Sequence, residues 1–322
     1  MGNKTTERIQ FIDVIKIVAM IGVVGLHTTA GIPLIYATCS MSIPLFFMST
    51  GFLMYDRDYS WKYIMWKIYH VLKYVVIVNL AYWLIVGISY KSFDFNSFIS
   101  GISISGEPPF WHFWFFGSLL LVYMILPLFK IKKSCNFLVV SVLFFFLQVI
   151  FLLNLLKNDG RPFEAGLPQV YRLYTWIFYC LLGGIMKSFM DRLPSVKLWF
   201  VLCVLGINSM FQFLLTPYMN DVRCEFFYSS VVVMVCCIAV FKYISQYDYD
   251  REPVRRVISE LSHLFLPVFT IHIFLIGSVF DVVQPYVGLF TRPVSWPIVT
   301  LMSILISYIL MHIKYFNSLI RI

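Results

Sequence analysis

The stretch DVIKIVAMIGVVGLHTTAG, residues 13–31, is largely apolar but carries an acid, Asp13, at its start and two basic side chains, Lys16 and His27, further along. They are eleven residues apart, so an α-helix would turn by about 1100° between them and place both on one face, about 16 Å apart. Ionisable side chains inside a membrane helix are costly and usually face a protein interior or a wet cavity. The spacing therefore indicates that Lys16 and His27 line a shared passage.

Each residue type suggests a chemistry. A neutral imidazole at His27 can act as a general base on a hydroxyl or as a nucleophile that forms an acyl intermediate. A lysine at position 16 suits an anion that enters from the cytoplasm, and Asp13, three residues earlier, can pair with it on a helix. The structural alternatives are a Lys16 that reaches the membrane interface beside Asp13 and a buried, hydrogen-bonded His27.

The composition indicates the environment of these residues. The 322-residue chain is 60% hydrophobic and only 13% charged, with a mean hydropathy of +0.82, whereas soluble domains are about 25% charged. We therefore predict an all-α, polytopic integral membrane protein in a single domain, residues 1–322. The seven cysteines are scattered without a CxxC pair or ligand spacing, and we expect no permanently bound cofactor and no metal.

Ten apolar runs are long enough to cross the hydrocarbon core, which takes about 20 residues. The predicted spans are Gln10–Ala30, Pro33–Tyr55, Val71–Tyr90, Trp111–Lys130, Asn136–Leu156, Leu173–Phe189, Lys197–Leu215, Phe226–Ser245, Leu264–Val283 and Val294–Ile313. The second is the least regular, because Cys39–Pro44 suits a break. An even number of spans places both termini on one side.

Charge indicates which side that is. With both termini in the cytoplasm, seventeen lysines and arginines fall on the cytoplasmic side and six on the outer side, which agrees with the positive-inside rule. The same rule explains the net charge of +9 without a nucleic-acid partner. We expect the outer loop 157–172 to be solvated, the segment 247–256 to be a charged cytoplasmic linker, and GISISGEPP, residues 101–109, to be a loop.

Further motifs follow the first span in order: IPLFFMSTGFL (43–53), HFWFFGSLLLVYMILP (112–127), GGIM (183–186) and FTIHIFL (269–275). Together with the Lys16–His27 spacing they resemble the integral-membrane acyltransferase-3 family, which includes bacterial O-acetyltransferases of cell-surface polysaccharides. Thr50 stands where that family usually has serine, so a hydroxyl is kept. The family usually has two arginines, three apart, before the third span, whereas this chain has Lys67 and His70.

The resemblance implies transfer of an acyl group, usually acetyl, from cytoplasmic acyl-CoA to a sugar hydroxyl. On that basis His27 is the general base, with an acyl-histidine intermediate left open, and Lys16 and Asp13 complete the catalytic group. The remaining assignments are substrate binding by Thr50, His112, Trp114 and His272, and donor binding by Lys67 and His70.

Some alternatives stay open on sequence grounds. His112 and Trp114 suit either an interfacial aromatic belt or a sugar-stacking platform beside His27. A transporter or exporter of a polysaccharide-related substrate would share the polytopic build. For the acyltransferase, the expected partners are acyl-CoA, a glycan or lipid-linked saccharide and the bilayer, in the bacterial plasma membrane. The sequence does not indicate the oligomeric state.

Overall fold

The protein is a bundle of α-helices. The computed structural model describes residues 9–55, 60–104, 106, 108, 110–129, 133–156 and 160–313; side chains of residues 128, 129 and 133–136 are not described. The helices are α1 Gln10–Thr28, α2 Pro33–Cys39, α3 Ser42–Met54, α4 Trp61–Tyr90, α5 Phe95–Ile102, α6 Trp114–Ile125, α7 Lys133–Leu156, α8 Leu173–Phe189, α9 Leu198–Met219, α10 Val231–Ser245, α11 Glu252–His263, α12 Phe265–Val287 and α13 Thr291–His312.

The all-α, polytopic prediction is confirmed. Within the described residues, seven apolar stretches are long enough to span a membrane, and one of them, Phe265–His312, contains both α12 and α13. Two shorter apolar helices, Trp111–Ile125 and Val231–Ser245, bring the apolar segments to the ten expected. The predicted topology places both termini in the cytoplasm. The terminal residues 1–8 and 314–322 lie outside the described residues.

Two predicted boundaries were wrong because capping residues set them. The third span begins at Trp61 rather than Val71, since the hydroxyl of Ser60 accepts a hydrogen bond from the backbone N–H of Tyr63 (3.3 Å) and starts α4 there. The eighth begins at Val231 rather than Phe226, because Ser230 caps α10 in the same way.

The second span is broken between α2 and α3, as the irregular Cys39–Pro44 segment indicated. A break leaves backbone carbonyls that need donors inside an apolar bundle. Helix α9 supplies one such donor, because the Asn208 side-chain amide donates to the carbonyl of Ala37 (2.8 Å), and Gln212 of the same helix donates to the side-chain hydroxyl of Ser40 (3.0 Å). All four groups are buried.

Two segments expected to be irregular contain helices. Residues 101 and 102 end α5, whose first turn is capped by the Asp94 carboxylate. The charged segment 247–256 enters α11, an exposed helix that packs against α1. Ion pairs between Arg255 and Glu252 and between Arg256 and Glu260 stabilise α11.

Helix α1 lies at the centre of the bundle and contacts α2, α3, α10, α11, α12 and α13. Its glycines permit this packing. A Cβ on Gly22 would lie 1.9 Å from the hydroxyl oxygen of Ser42, and one on Gly25 would lie 2.4 Å from the sulfur of Cys39. Neighbouring helical segments therefore approach α1 closely at these glycines, and this packing holds the end of α1 that carries His27.

Candidate active site

His27 lies on a cavity of about 470 Å³ at the end of α1. The cavity is lined by residues of α1, α2 and α12, of the starts of α3 and α6, and of the segments before α6, α8 and α10. The lining residues are Leu26, His27, Ala30, Tyr36, Ile43, Trp111, His112, Trp114, Gln169, Arg223, Cys224, Glu225, Tyr228, Phe269, Ile273, Ile276 and Gly277. The cavity therefore combines aromatic walls with a few polar groups, as small-molecule sites usually do.

Three imidazoles from three separate helical segments meet beside this cavity. The His27 ring stacks on the His272 ring at a centroid distance of 5.2 Å, and the His112 ring meets His272 edge-on at 5.8 Å. The Trp111 ring also packs edge-on against the His27 ring, at a centroid distance of 4.8 Å. His27 is half-buried, whereas His112 and His272 are buried.

The hydrogen bonds of the two buried rings are incomplete. His272 donates from Nδ1 to the carbonyl of Val268 (3.0 Å), which leaves the lone pair of a neutral ring on Nε2. In the described part of the chain, His272 Nε2 has no hydrogen-bond partner, and neither nitrogen of His112 has one. Buried polar atoms without partners are uncommon and call for an explanation; here His112 lines the cavity, and His272 stacks on His27, which also lines it.

The exposed end of the cavity carries charge. The Arg223 guanidinium binds the Asp221 carboxylate (2.7 Å) and lies 3.4 Å from Glu225. Burial raises the pKa of Asp221, but the hydrogen bonds and charge of Arg223 outweigh it, so the pKa lies below its usual value. Gln169 also lines this end, and its side-chain oxygen is buried without a partner among the described residues.

A family model described as an acyltransferase domain, acyltransferase-3, matches residues 9–312. The chain belongs to the acyltransferase-3 family. No curated protein and no solved structure matches it. The protein is thus a multi-pass membrane enzyme that transfers acyl groups other than aminoacyl groups, and the transporter alternative has no support from the comparison.

Two predicted residues of the acyltransferase, Lys16 and Asp13, pair with each other. Lys16 Nζ lies 3.3 Å from the Asp13 carboxylate. Lys16 is not part of the cavity lining, and Met20 and Val23, which lie between it and His27 on α1, are about 1% exposed. A passage from Lys16 to His27 would therefore require these packed side chains to separate.

The predicted donor residues lie on the first turns of α4, away from the His27 cavity. Lys67 Nζ lies 5.2 Å from the Trp66 ring, and His70 Nδ1 donates to the Trp66 carbonyl (2.7 Å). Thr50 is half-buried on α3 and does not line the cavity. The assignment of donor binding to Lys67 and His70, and of substrate binding to Thr50, stays a prediction.

One expectation about the outer loop was wrong. Glu164 and Arg172 are each 2% exposed rather than solvated. The Glu164 carboxylate accepts hydrogen bonds from the Asn154 amide (2.6 Å) and the Tyr174 hydroxyl, while Arg172 donates to Glu225 (3.1 Å). Their partners come from α7, α8 and the segment before α10, which explains why local polarity misled the prediction.

Of the candidates predicted from the sequence, His27, His112 and Trp114 line the cavity and His272 contacts the rings of His27 and His112, while other lining residues were not predicted. Trp111 directly precedes His112, and this position next to a candidate residue could have indicated that Trp111 belongs to the site. Gln169, Arg223 and Glu225 lie in two loops far apart in sequence, and no spacing rule joins them to His27. Among the described residues, no group of three or more His, Cys, Asp or Glu side chains is placed to hold a metal ion.

Proposed function

We propose that this acyltransferase moves an acetyl group from cytoplasmic acetyl-CoA to a hydroxyl of a cell-surface glycan, or of its lipid-linked precursor, in the plasma membrane of a bacterium. The observation that carries the proposal is the position of His27, half-buried at the wall of an aromatic cavity within a chain of the acyltransferase-3 family.

The cavity chemistry supports a sugar acceptor. Sugar rings have apolar faces that pack on aromatic side chains, and Trp111 and Trp114 both line the cavity. Sugar hydroxyls need hydrogen-bond partners when they leave water, and Gln169 and Glu225, whose side chains carry acceptor oxygens, also line the cavity. These groups would orient one hydroxyl toward His27.

The proposed donor is an anion that binds on the cytoplasmic side. Acetyl-CoA carries phosphate groups, which lysine binds as a point charge. Lys16 on α1 and Lys67 on α4 lie near the helix ends that the charge pattern assigns to the cytoplasm. Asp13 holds Lys16 through an ion pair of 3.3 Å, and His70 lies one turn beyond Lys67.

The proposed role of His27 is that of a general base. A neutral imidazole within hydrogen-bond reach of the acceptor hydroxyl would take its proton as the oxygen attacks the thioester. The same ring would then return the proton to the leaving thiolate of CoA. No resident cofactor takes part in this scheme, because the energy of the thioester drives the transfer.

The test uses membrane vesicles with acetyl-CoA labelled in the acetyl group. Vesicles that contain the protein are expected to accumulate alkali-labile label in glycan, because acetyl esters hydrolyse in base. Vesicles from cells without the protein are the control, and acetyl-CoA labelled in the CoA part should leave the glycan unlabelled. Glycan that crosses the membrane without gaining an acetyl ester would contradict the proposal and favour a transporter.

A further inference from the structure

The helix that carries His112 begins at the wall of the cavity. A 3₁₀ turn, Trp111–Phe113, leads directly into α6, and both Trp111 and His112 line the cavity. The residue before this turn, Phe110, makes no side-chain cap. The first backbone N–H groups of a helix have no partner within it, and the helix dipole makes this end attractive to negative charge.

A second, independent feature points to the same place. His112 is 1% exposed, lines the cavity, and has no hydrogen-bond partner for either ring nitrogen within the described residues. A neutral imidazole carries one N–H donor, so this ring holds a buried donor beside the cavity. A ligand with an acceptor oxygen would satisfy it.

Two neighbouring donors, on His272 and Arg223, are already engaged by other groups. The Nδ1–H of His272 is bound to the Val268 carbonyl. The Arg223 guanidinium, also on the cavity wall, is held by the carboxylates of Asp221 and Glu225. His272 contacts the rings of both His27 and His112 and therefore holds the two at a fixed separation.

We propose that His112, together with the uncapped start of the Trp111–Ile125 helix, forms the site that binds the acyl carbonyl oxygen and stabilises it as an oxyanion. The inference rests on the proposed function and adds a residue role to it. Donors aimed at a developing oxyanion in a site shielded from water are among the largest contributions to acyl transfer. His112 is then a catalytic residue rather than an acceptor contact.

Atoms and electrons balance in this step. The acceptor oxygen attacks the thioester carbon and its proton passes to His27, while the carbonyl π electrons move to the oxygen that His112 and the helix start bind. When the tetrahedral intermediate collapses, these electrons re-form the carbonyl and the carbon–sulfur bond breaks. The thiolate takes the proton from His27, which leaves an acetyl ester and CoA.

Two variants of one position test the inference. His112→Leu removes the N–H donor, and His112→Gln keeps one on a side chain of similar reach. Both are assayed in vesicles with labelled acetyl-CoA and the glycan of the membrane as acceptor. We expect His112→Leu to lower the apparent kcat by about 10²–10³-fold with the KM for acetyl-CoA unchanged, and His112→Gln to recover a large part of the loss.

The outcomes separate this inference from the function on which it rests. A folded His112→Leu protein with wild-type kcat, or with a raised KM alone, would overturn the oxyanion role and leave the acyltransferase proposal intact. If His112→Leu and His112→Gln lost kcat equally and their melting temperatures fell equally, the His112 ring would contribute packing alone. That result would also overturn the oxyanion role. Absence of transfer by the wild type would overturn both proposals.

Discussion

Individual side chains of the site differ in how much of their role is visible in the sequence. Helix geometry alone places Lys16 and His27, eleven residues apart, on one face, so His27 can be identified as a candidate from the sequence by itself. The contacts of His27 with His272 and Trp111 cannot, because three separate helical segments bring them together. Local composition was misleading for Arg172, whose partners are distant in sequence.

Arg172 provides a prediction at this scale. Its side chain is buried, with 2% of the residue exposed, and it forms ion pairs with the buried Glu164 carboxylate and with the Glu225 carboxylate. The substitution Arg172→Met leaves the Glu164 carboxylate without this cation and leaves Glu225 with Arg223 alone, and breaking a buried pair costs about 3–5 kcal/mol. We expect a large drop in the melting temperature of the detergent-solubilised protein, measured by intrinsic tryptophan fluorescence.

The matched control is Arg256→Met, which removes an exposed ion pair with Glu260 on α11. Such helix-surface pairs contribute about 0.3–0.5 kcal/mol, so its melting temperature should stay close to that of the wild type. Equal shifts for Arg172→Met and Arg256→Met would contradict the structural role assigned to the buried cluster.

The helices themselves were largely predictable, because an apolar run long enough to cross a bilayer has few other stable structures. The exact ends of the helices were not predictable in the same way. The start of α4 at Trp61, for example, is set by the Ser60 cap. The amphipathic α11 was missed because its charges suggested a linker. The motifs IPLFFMSTGFL and GGIM were found separately, but their contact with each other appears only in the fold.

That contact gives a prediction at the scale of elements. A Cβ on Gly183 of α8 would lie 1.9 Å from the carbonyl oxygen of Met48 on α3, and one on Gly51 would lie 1.6 Å from the carbonyl oxygen of Cys180. Backbone atoms cannot rotate away, so Gly183→Ala should force α3 and α8 apart. Overpacking costs about 1–3 kcal/mol, sometimes more, and we expect a clear loss of monodisperse protein in size-exclusion chromatography.

Gly206→Ala on α9 is the control for this substitution, because a Cβ there would meet no atom within 4 Å. Alanine also favours helix over glycine by about 1 kcal/mol, so this variant should elute like the wild type or withstand more heat. If Gly183→Ala behaved like Gly206→Ala, the close crossing of α3 and α8 would be wrong.

For the whole molecule, the distribution of lysine and arginine predicts the orientation and the family comparison supports the activity. The match over residues 9–312 agrees with ten apolar segments in one chain, and we propose that they form a single domain. The predicted orientation matters for the proposed mechanism, because it would place the cavity of His27 on the outer side and Lys16 on the cytoplasmic side, where acetyl-CoA is made.

Labelling of introduced cysteines tests that orientation. Gly166 lies exposed in the segment before α8, with room for a side chain, and Arg256 lies exposed on α11. We expect a membrane-impermeant maleimide to label Gly166→Cys in intact cells and Arg256→Cys only in permeabilised cells. The parent chain with its native cysteines gives the background, and the reverse pattern would contradict the topology.

The most direct test of the central claim, that His27 is the base in acetyl transfer, compares His27→Ala with wild type at matched expression. The assay counts alkali-labile acetyl label in membrane glycan. His312→Ala is the control, because that histidine is exposed and its ring bonds to the Tyr308 carbonyl of its own helix. General acid–base catalysis contributes about 10²–10⁴-fold, so we predict a loss of that size for His27→Ala and wild-type transfer for His312→Ala. Full transfer by a folded His27→Ala protein would contradict the account.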